Sequence, residues 1–399
     1  MMRVLFLSRW FPVPADNGSK LRVLHLLKAL AGRHQVTLAS FTSEAPTDED
    51  VQGLRRWCSA VHTVPLRPSE PRRLESIRGL FDREPRSVRV SFHLEMRTLV
   101  QGLWESSHPD LVVASEIDMA PYALHLPRTP AVLDELQLAA FYGQIASSTG
   151  SLSRIRRRLM WAKREAYTRR LMGAFDACTV VSPVERELVR RVAPNLPPPE
   201  VIPNGADLTP VAGSNSDPVA GSIIYAGSVT YAPNLEAVAY FIRDILPQVR
   251  AAVPETIFTV TGRTDGVDLD GLREAEGVRF SGPLDDIRSA IARSWLSVAP
   301  ICSGGGTRLK ILESLAVGTP VVSTSKGVEG LDLVNDRHVL VADDPQAFAT
   351  AVVRLLCDPK LRRRLGEDGR REVARLYDWE RIGAAFCSVV EHAASARTG

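Results

Sequence analysis

The chain has 399 residues, of which 45% are hydrophobic and 24% are charged, and its formal net charge is +3. This composition excludes a disordered or fibrous chain, the length suggests two globular domains, and the small net charge says little about partners. Five scattered cysteines lack metal-binding or disulfide spacing, which favours a reducing cytoplasm. No apolar run approaches the roughly 18 residues of a membrane span, and residues 2–8 predict a buried strand rather than a signal peptide.

Short apolar segments rich in valine and isoleucine alternate along the chain with segments of helical periodicity. Such runs are typical of strands that are covered on both faces. We predict strands, in chain order, at 4–8, 36–40, 61–65, 111–115, 131–134, 178–182, 201–203, 223–227, 257–262, 278–282, 296–300, 320–324 and 339–342. Alternating strands and helices predict an α/β fold with doubly wound parallel sheets.

The alternating pattern occurs twice, with a break of small and polar residues between the two halves. We predict a Rossmann-like domain at 1–209, a linker at 210–221, a second Rossmann-like domain at 222–376 and a final helical segment at 377–399. Two such domains are expected to face a central cleft lined by the carboxyl ends of their strands.

A glycine-rich turn follows the strand predicted at 296–300. It consists of Gly304, Gly305, Gly306 and Thr307. A glycine turn at a helix N-terminus lets backbone N–H groups approach an anion closely. Arg308 and Lys310 add two cations, so a phosphate or diphosphate is the expected ligand. Glu313 lies further along the helix, where a carboxylate can accept hydrogen bonds from ribose hydroxyls.

Each of these charged residues also has a purely structural interpretation. Glu313 alone could be a solvated helix residue, but the combination with the glycines, the cations and the Gly318-Thr319-Pro320 stop favours a site. Arg308 and Lys310 could also be solvated. Because cations oppose the dipole at a helix N-terminus, a bound anion would account for them better.

Further candidates in the first half follow predicted strands. Asn17 and Gly18 permit a tight turn. Gly18 is expected either to form this turn or to lie beside a phosphate. For Ser19, a helix N-cap is favoured over a role in binding. Asp134 and Glu135 end a strand. Asp134 is predicted either to orient or deprotonate an acceptor hydroxyl or to cap a helix.

In the second half, Gly227 and Ser228 end the strand predicted at 223–227 and are expected to border the cleft, and Arg263 follows the next strand and could meet the base of a bound nucleotide. The sequence has no paired histidines of the HExxH type, no Gly-x-Ser-x-Gly elbow, no Walker A motif and no dinucleotide fingerprint. We therefore expect no metal site and no NAD cofactor.

A basic helical segment covers residues 154–170. Ile155, Leu159, Ala162 and Ala166 share one face, which favours a surface helix with its apolar side in the core. The cations could also attract an anionic membrane or a lipid diphosphate. Nucleic acid is not expected, because no aromatic stacking platform accompanies the charge.

Several motifs taken together resemble the GT-B glycosyltransferases of family 4, the "group 1" type, over nearly the whole chain. They are the Asn17-Gly18 loop, FDACTVVS at 175–182, VIPNGAD at 201–207, IYAGS at 224–228 and LESLAVGTPVV at 312–322. The resemblance implies a retaining transfer of a hexosyl group from a nucleotide-diphosphate sugar, without an obligatory metal or cofactor. It also implies that the nucleotide binds the second domain, that a glycan, lipid-linked or small-molecule acceptor binds the first, and that the last helix crosses back onto the first.

The resemblance assigns Glu313 to the second position of the family's Glu-x7-Glu motif, which holds the ribose. Gly305 stands where the first Glu, which contacts the donor sugar, is expected. The loop at 227–234 lacks the family's usual Arg and Lys, so we infer that Arg308 and Lys310 supply that charge. Asp134 stands where many members carry a His.

These departures resemble a Gly-Gly-Gly-Thr-Arg subgroup associated with exopolysaccharide synthesis. The expected protein is cytoplasmic, with peripheral contact at the inner membrane face through 154–170 as a further option. Two other functions stay open at this point: a nucleotide-sugar epimerase of the same fold and a non-catalytic relative.

Overall fold

The computed structural model describes residues 1–67, 85, 88–89, 91–136, 138, 151–211 and 218–396, without the side chains of residues 151–156. The chain divides into two units, one formed by Met1–Asn204 with Glu380–Gly399 and the other by Gly205–Trp379. Each unit contains one parallel sheet with helices on its faces. Among the described residues, no helix is both long enough and apolar enough to cross a bilayer.

The first unit contains a seven-stranded sheet in the order β3-β2-β1-β4-β5-β6-β7. Its strands are β1 (Arg3–Ser8), β2 (Gln35–Thr42), β3 (Ala60–Pro65), β4 (Leu111–Ser115), β5 (Ala131–Asp134), β6 (Ala177–Val180) and β7 (Glu200–Val201). Every strand pair is parallel. The order reverses between β1 and β4, which creates a switch point at the carboxyl ends of these strands.

Six helices among the described residues of Met1–Asn204 accompany this sheet. They are α1 (Gly18–Ala31), α2 (Asp48–Arg55), α3 (Leu94–Ser107), α4 (Ala120–Leu124), α5 (Ser151–Ala174) and α6 (Pro183–Val192). Asn17, rather than Ser19, caps α1, because its side-chain oxygen accepts the Lys20 N–H at 3.0 Å. Gly18 is therefore the first residue of the helix, and its predicted phosphate contact stays a prediction.

The buried face of α5 differs from the predicted one. Leu159 is 45% exposed, and Ala162 and Ala166 are also exposed, whereas Tyr167 and Leu171 are buried. The side chain of Ile155 lies outside the described residues. Small alanines could be placed on either face by periodicity alone, and the larger Tyr and Leu side chains fill the space against the sheet.

The second unit contains a six-stranded parallel sheet in the order β10-β9-β8-β11-β12-β13. Its strands are β8 (Val219–Tyr225), β9 (Ile257–Thr261), β10 (Val278–Gly282), β11 (Ser294–Ala299), β12 (Val321–Ser323) and β13 (Leu340–Val341). Its helices are α7 (Ala232–Tyr240), a π-helical turn (Phe241–Ile245), α8 (Leu246–Ala252), α9 (Ile287–Ala292), α10 (Leu309–Ala316), α11 (Pro345–Cys357) and α12 (Pro359–Leu376). All thirteen predicted strands are present, and the predicted α/β class with two Rossmann-like sheets is confirmed.

The segment predicted as a linker is shorter than expected. Strand β8 begins at Val219, which pairs with Ser294 of β11, so residues 219–221 belong to the sheet. Residues 212–217 lie outside the described residues. The small residues of this segment hid the strand start, because Ala and Gly carry no strong strand signal.

The last helix, α13 (Trp379–Ser395), belongs to the first unit from Glu380 onward. Ile382, Phe386 and Val390 are buried along one face of it. A Cβ atom on Gly383 would lie only 2.5 Å from the Cβ of Ala29 on α1. Glycine at this position therefore lets the two helices approach closely.

Candidate functional site

The glycine-rich turn of the second unit lies between β11 and α10. Gly304 and Gly306 have φ angles of 88° and 84°, a region that favours glycine. A Cβ atom on Gly304 would also lie 3.1 Å from the Cγ of Pro233, so the turn packs against the start of α7. The helix itself begins at Leu309, a few residues later than the sequence predicted. The predicted turn is therefore present, with the glycines ahead of the helix rather than inside it.

Arg308 folds back over this turn. It occupies the N-cap position of α10 and is only 9% exposed. Its Nη1 donates to the Gly305 carbonyl, and its Nη2 donates to the Ser303 carbonyl at 3.3 Å. Its Nε–H has no hydrogen-bond partner within the part of the chain that the structure describes. Burial lowers the pKa of this guanidinium, although the group remains cationic at physiological pH.

Lys310 lies beside the carboxyl end of β8. Its Nζ donates to Asn234 Oδ1 at 3.0 Å and lies 3.7 Å from the centre of the Tyr225 ring. No carboxylate of the described residues lies within 4.0 Å of this ammonium group. Burial, followed by repulsion from Arg308, lowers the pKa of Lys310 to about 7. The site thus contains two neighbouring cations that have no carboxylate partner among the described residues.

The loops that follow β8 and β9 are in contact with each other. Ser228 Oγ donates to the Arg263 carbonyl at 3.0 Å, and the Val229 N–H donates to the same carbonyl at 3.1 Å. A Cβ atom on Gly262 would lie 2.6 Å from the Ser228 nitrogen, so only glycine allows this approach. Gly227 and Ser228 lie at this junction, and their predicted contact with a donor stays a prediction. The Arg263 side chain pairs with Asp265 at 3.0 Å, and its proposed contact with a base stays a prediction.

Glu313 is the fifth residue of α10 and is half-buried. Burial raises the pKa of its carboxyl group, while Lys310 and Arg288 oppose that rise. Within the described part of the chain, its carboxylate forms no hydrogen bond or ion pair. A half-buried carboxylate with free acceptor sites can accept hydrogen bonds from two neighbouring hydroxyls. This capacity is what the predicted ribose contact requires.

Thr307 lies in the turn directly before Arg308. Its carbonyl accepts the Leu309 N–H at 3.1 Å. Its predicted contact with the donor stays a prediction.

In the first unit, Asp134 forms a buried ion pair at the carboxyl end of β5. Arg22 Nε and Nη2 donate to its two oxygens at 2.9 and 2.6 Å, and Thr179 Oγ1 donates to it at 2.6 Å. Asp134 is fully buried and Arg22 is 1% exposed. Burial acts to lower the pKa of Arg22, but the neighbouring carboxylates, led by Asp134, raise it overall. The carboxylate therefore serves to hold Arg22, and its predicted role toward an acceptor stays a prediction.

Two glutamates follow adjacent strands of the same sheet with unusual backbone conformations. Glu116 after β4 has a φ of 68°, and Glu135 after β5 has a φ of 64°. Trp10 Nε1 donates to Glu116 Oε1 at 2.8 Å. Burial, with repulsion from Glu135, raises the pKa of Glu116 to about 8. Positive φ at non-glycine residues costs about 1–3 kcal/mol and often marks functional positions. The sequence carried no signal for Glu116 beyond its place after a strand.

The described residues contain no group of three or more His, Cys, Asp or Glu side chains suited to hold a metal ion. Sequence reasoning did not single out Asn234 or Tyr225. Asn234 and Tyr225 are ordinary helix and strand residues by pattern. Only their contacts with Lys310 single them out.

Family models match both halves of the chain. A model described as "Glycosyltransferase Family 4" matches residues 17–209, and one described as "Glycosyl transferases group 1" matches residues 220–358. The chain belongs to the group 1, family 4 glycosyltransferases of GT-B fold. The glycine-rich turn, Arg308, Lys310 and Glu313 all lie within the second matched region.

Individual relatives are more distant. The chain is 32% identical over 160 residues to a phosphatidyl-myo-inositol mannosyltransferase from Mycobacterium leprae, covering 38% of this chain and 42% of that protein. The match thus spans less than half the length of this curated relative. Among solved structures, sucrose-phosphate synthase from Thermosynechococcus elongatus superposes with a TM-score of 0.71 at 18% identity, covering 99% of this chain and 100% of that one. Anabaena HepE, in complex with UDP-glucose, superposes with a TM-score of 0.65 at 14% identity, covering 98% and 100%.

Proposed function

We propose that this glycosyltransferase moves a hexosyl group from a nucleotide-diphosphate sugar to an acceptor with retention of anomeric configuration. The observation that carries the proposal is the pair of cations Arg308 and Lys310, which lack a carboxylate partner among the described residues and stand beside a glycine turn at a helix N-terminus. A diphosphate provides the negative charge that such a site accommodates. Glu313, half-buried on the same helix, would accept hydrogen bonds from the ribose hydroxyls.

The same residues would assist the chemical step. Negative charge builds on the diphosphate as the bond to the sugar breaks, and Arg308, Lys310 and the backbone N–H groups of the turn would stabilise it more in the transition state than in the ground state. No metal is required for this stabilisation, because the two side chains supply the positive charge. Gly305 offers no side chain as a nucleophile, so we propose that the acceptor attacks on the face that the leaving diphosphate vacates.

The donor and acceptor classes follow from the relatives. A mannosyltransferase and a protein solved with UDP-glucose support a GDP- or UDP-linked hexose as donor. We propose a glycan, lipid-linked or small-molecule acceptor at the first unit, a place in polysaccharide or glycoconjugate synthesis, and a cytoplasmic location.

Peripheral contact with an anionic membrane would use the basic helix α5. Leu159 and Met160 are 45% and 47% exposed and follow Arg157 and Arg158. Exposed apolar side chains beside cations suit the surface of an anionic bilayer. Flotation with anionic and neutral liposomes tests this contact, and failure to bind either would leave α5 as an ordinary surface helix.

A thermal-shift panel with UDP, GDP, ADP and dTDP tests the proposed function. A ligand present at about 100 times its Kd stabilises a protein by about 2.7 kcal/mol. We expect one base to stabilise the protein more than the others. No stabilisation by any of the four would contradict the proposal.

Turnover separates the remaining alternatives. Gly305 at the position of the motif's first Glu gives a non-catalytic relative some weight. Specific nucleotide binding without consumption of any sugar nucleotide would favour that relative. Conversion of the donor in the absence of an acceptor would favour an epimerase.

A further inference from the structure

Lys310 stands in a compact group of side chains that the family pattern does not explain. We propose that Asn234 is a positioning residue that holds the Lys310 ammonium toward the donor diphosphate, in space left free by Gly227. This inference rests on the nucleotide-sugar donor proposed above, and it concerns how this chain provides the charge that the loop at 227–234 lacks.

The amide of Asn234 has its orientation fixed by three hydrogen bonds. Its Oδ1 accepts from Lys310 Nζ at 3.0 Å and from the Tyr225 hydroxyl at 2.8 Å. Its Nδ2 donates to the Ser228 carbonyl at 2.7 Å. In the reversed orientation the amide NH2 group would face the Lys310 ammonium, and the amide oxygen would face the Ser228 carbonyl. The oxygen must therefore face Lys310. Asn234 thus ties α10, β8 and the loop after β8 together.

Gly227 provides the space for this arrangement. A Cβ atom on Gly227 would lie 3.0 Å from Lys310 Nζ and 3.4 Å from Asn234 Nδ2. The ammonium group therefore occupies the volume that a side chain at position 227 would need. The chain places a cation beside the end of β8 from α10, although the loop itself carries none.

The ammonium group keeps donors for a ligand. An ammonium has three N–H donors, and one of them is used by Asn234. The Tyr225 ring lies 3.7 Å from the nitrogen and stabilises its charge through the ring face. The remaining donors can bind the oxygens of a diphosphate.

Charged groups around Lys310 make its protonation sensitive to the ligand. Two charged side chains act on it from its own element: Arg308 at the N-cap of α10 and Glu313 within α10. Tyr225 of β8 and Asn234 of α7 are the other side chains of the group that contact it. Burial and Arg308 lower the pKa of Lys310 to about 7 in the unliganded protein, while Glu313 opposes this. A bound diphosphate adds negative charge and raises the pKa again. Donor binding above pH 7 should therefore take up a proton.

The test is the dissociation constant of UDP-glucose and of GDP-mannose, measured by calorimetry between pH 6 and pH 8.5. The phosphates of both probes are diesters that do not titrate in this range, and the N–H groups of uracil and guanine lose their protons only at higher pH, so the profile reports on the protein. For the probe that binds, the Kd of the wild type should be nearly constant below about pH 7. Above it, Kd should rise by up to about tenfold per pH unit.

Asn234→Ala and Asn234→Asp should move this profile in opposite directions. Asn234→Ala removes a hydrogen bond to the charged form, so the midpoint should fall and the affinity at pH 8 should drop by about tenfold or more. Asn234→Asp places a carboxylate beside the ammonium, so the midpoint should rise even though the added charge weakens diphosphate binding. A residue with a merely structural role would lower affinity without moving the midpoint.

Two lysine variants complete the design. Lys310→Met should bind weakly and lose this step in the profile, whereas Lys360→Met, at an exposed lysine of α12, should match the wild type. An unchanged midpoint in both Asn234 variants would overturn the positioning role and leave the proposed function standing. Failure of the wild type to bind either probe or any nucleotide of the panel would overturn both.

Discussion

At the scale of single residues, three side chains of α10 and its N-cap carry the proposed donor site. Arg308→Ala, Lys310→Ala and Glu313→Ala should each lower kcat/KM for the donor by about one to three decades, because each removes a charge-assisted contact. Steady-state kinetics with the preferred sugar nucleotide provides the measurement.

Two exposed residues of α12 provide matched controls. Lys360→Ala and Glu367→Ala remove the same charges from a surface helix of the same unit and should leave turnover unchanged. Near-normal turnover in all three site variants would contradict the assignment of the donor site.

Asp134 illustrates how a residue at a promising position can have a structural task. Its two oxygens hold Arg22 in a buried, bidentate pair. Asp134→Asn should lower the free energy of unfolding by about 3 kcal/mol, because the buried Arg22 loses its bidentate partner and keeps a carboxylate only at 3.6 Å, in Glu135. Denaturant unfolding measures this loss.

An exposed ion pair gives the reference for that measurement. Glu187→Gln breaks the contact with Arg191, in which both side chains are at least half exposed, and should cost about 1 kcal/mol or less. If Asp134→Asn kept full stability and lost turnover, the result would support the predicted role of Asp134 toward the acceptor.

At the scale of elements, the glycine turn and the start of α7 depend on each other. Gly304 and Gly306 share a positive φ, but only Gly304 lies against Pro233, whereas a Cβ on Gly306 would meet nothing within 4 Å. Gly304→Ala should therefore weaken nucleotide binding more than Gly306→Ala, since it adds a steric clash to the cost of about 1–2 kcal/mol for the left-handed conformation.

Calorimetric Kd values for the two alanine variants provide the comparison. The difference between them isolates the contact with Pro233 from the backbone penalty. Equal affinities would mean that the turn moves away from α7 without consequence for the ligand.

Helix α5 shows what periodicity can and cannot decide. The sequence predicted a helix there, and a helix is present, but its buried face contains Tyr167 and Leu171 rather than Leu159 and Ala162. Arg164 is also buried, at 4% exposure. A helix rich in arginine and alanine has a weak apolar moment, so the sheet against which it packs selects the face.

At the scale of the whole molecule, the proposed donor-site residues Arg308, Lys310 and Glu313 lie between Gly205 and Trp379, and the last helix belongs mostly to the other unit. Phe386 of α13 is fully buried. Phe386→Ala should destabilise the first unit by about 3–5 kcal/mol through a cavity. Below the melting temperature, nucleotide affinity should stay close to the wild-type value.

Ser388→Ala, at an exposed position of the same helix, should change stability by no more than about 0.5 kcal/mol. Thermal unfolding with and without nucleotide gives both quantities. A large loss of nucleotide affinity in folded Phe386→Ala would contradict the confinement of the donor site to the second unit.

The sequence by itself determined the order of strands and helices, the α/β class and the glycine-rich turn. These features depend on local properties: apolar runs form buried strands, helical periodicity forms helices, and consecutive glycines form a turn. The family resemblance, read from the motifs in order, added the GT-B architecture.

Only the tertiary structure decided which side chains meet. Arg22 and Asp134 are 112 residues apart, and Asn234 and Lys310 are 76 residues apart. Neither pair leaves a local pattern, because its geometry depends on the positions of whole strands and helices in the sheet. The same dependence selects the buried face of α5 and places the Lys310 ammonium beside Gly227.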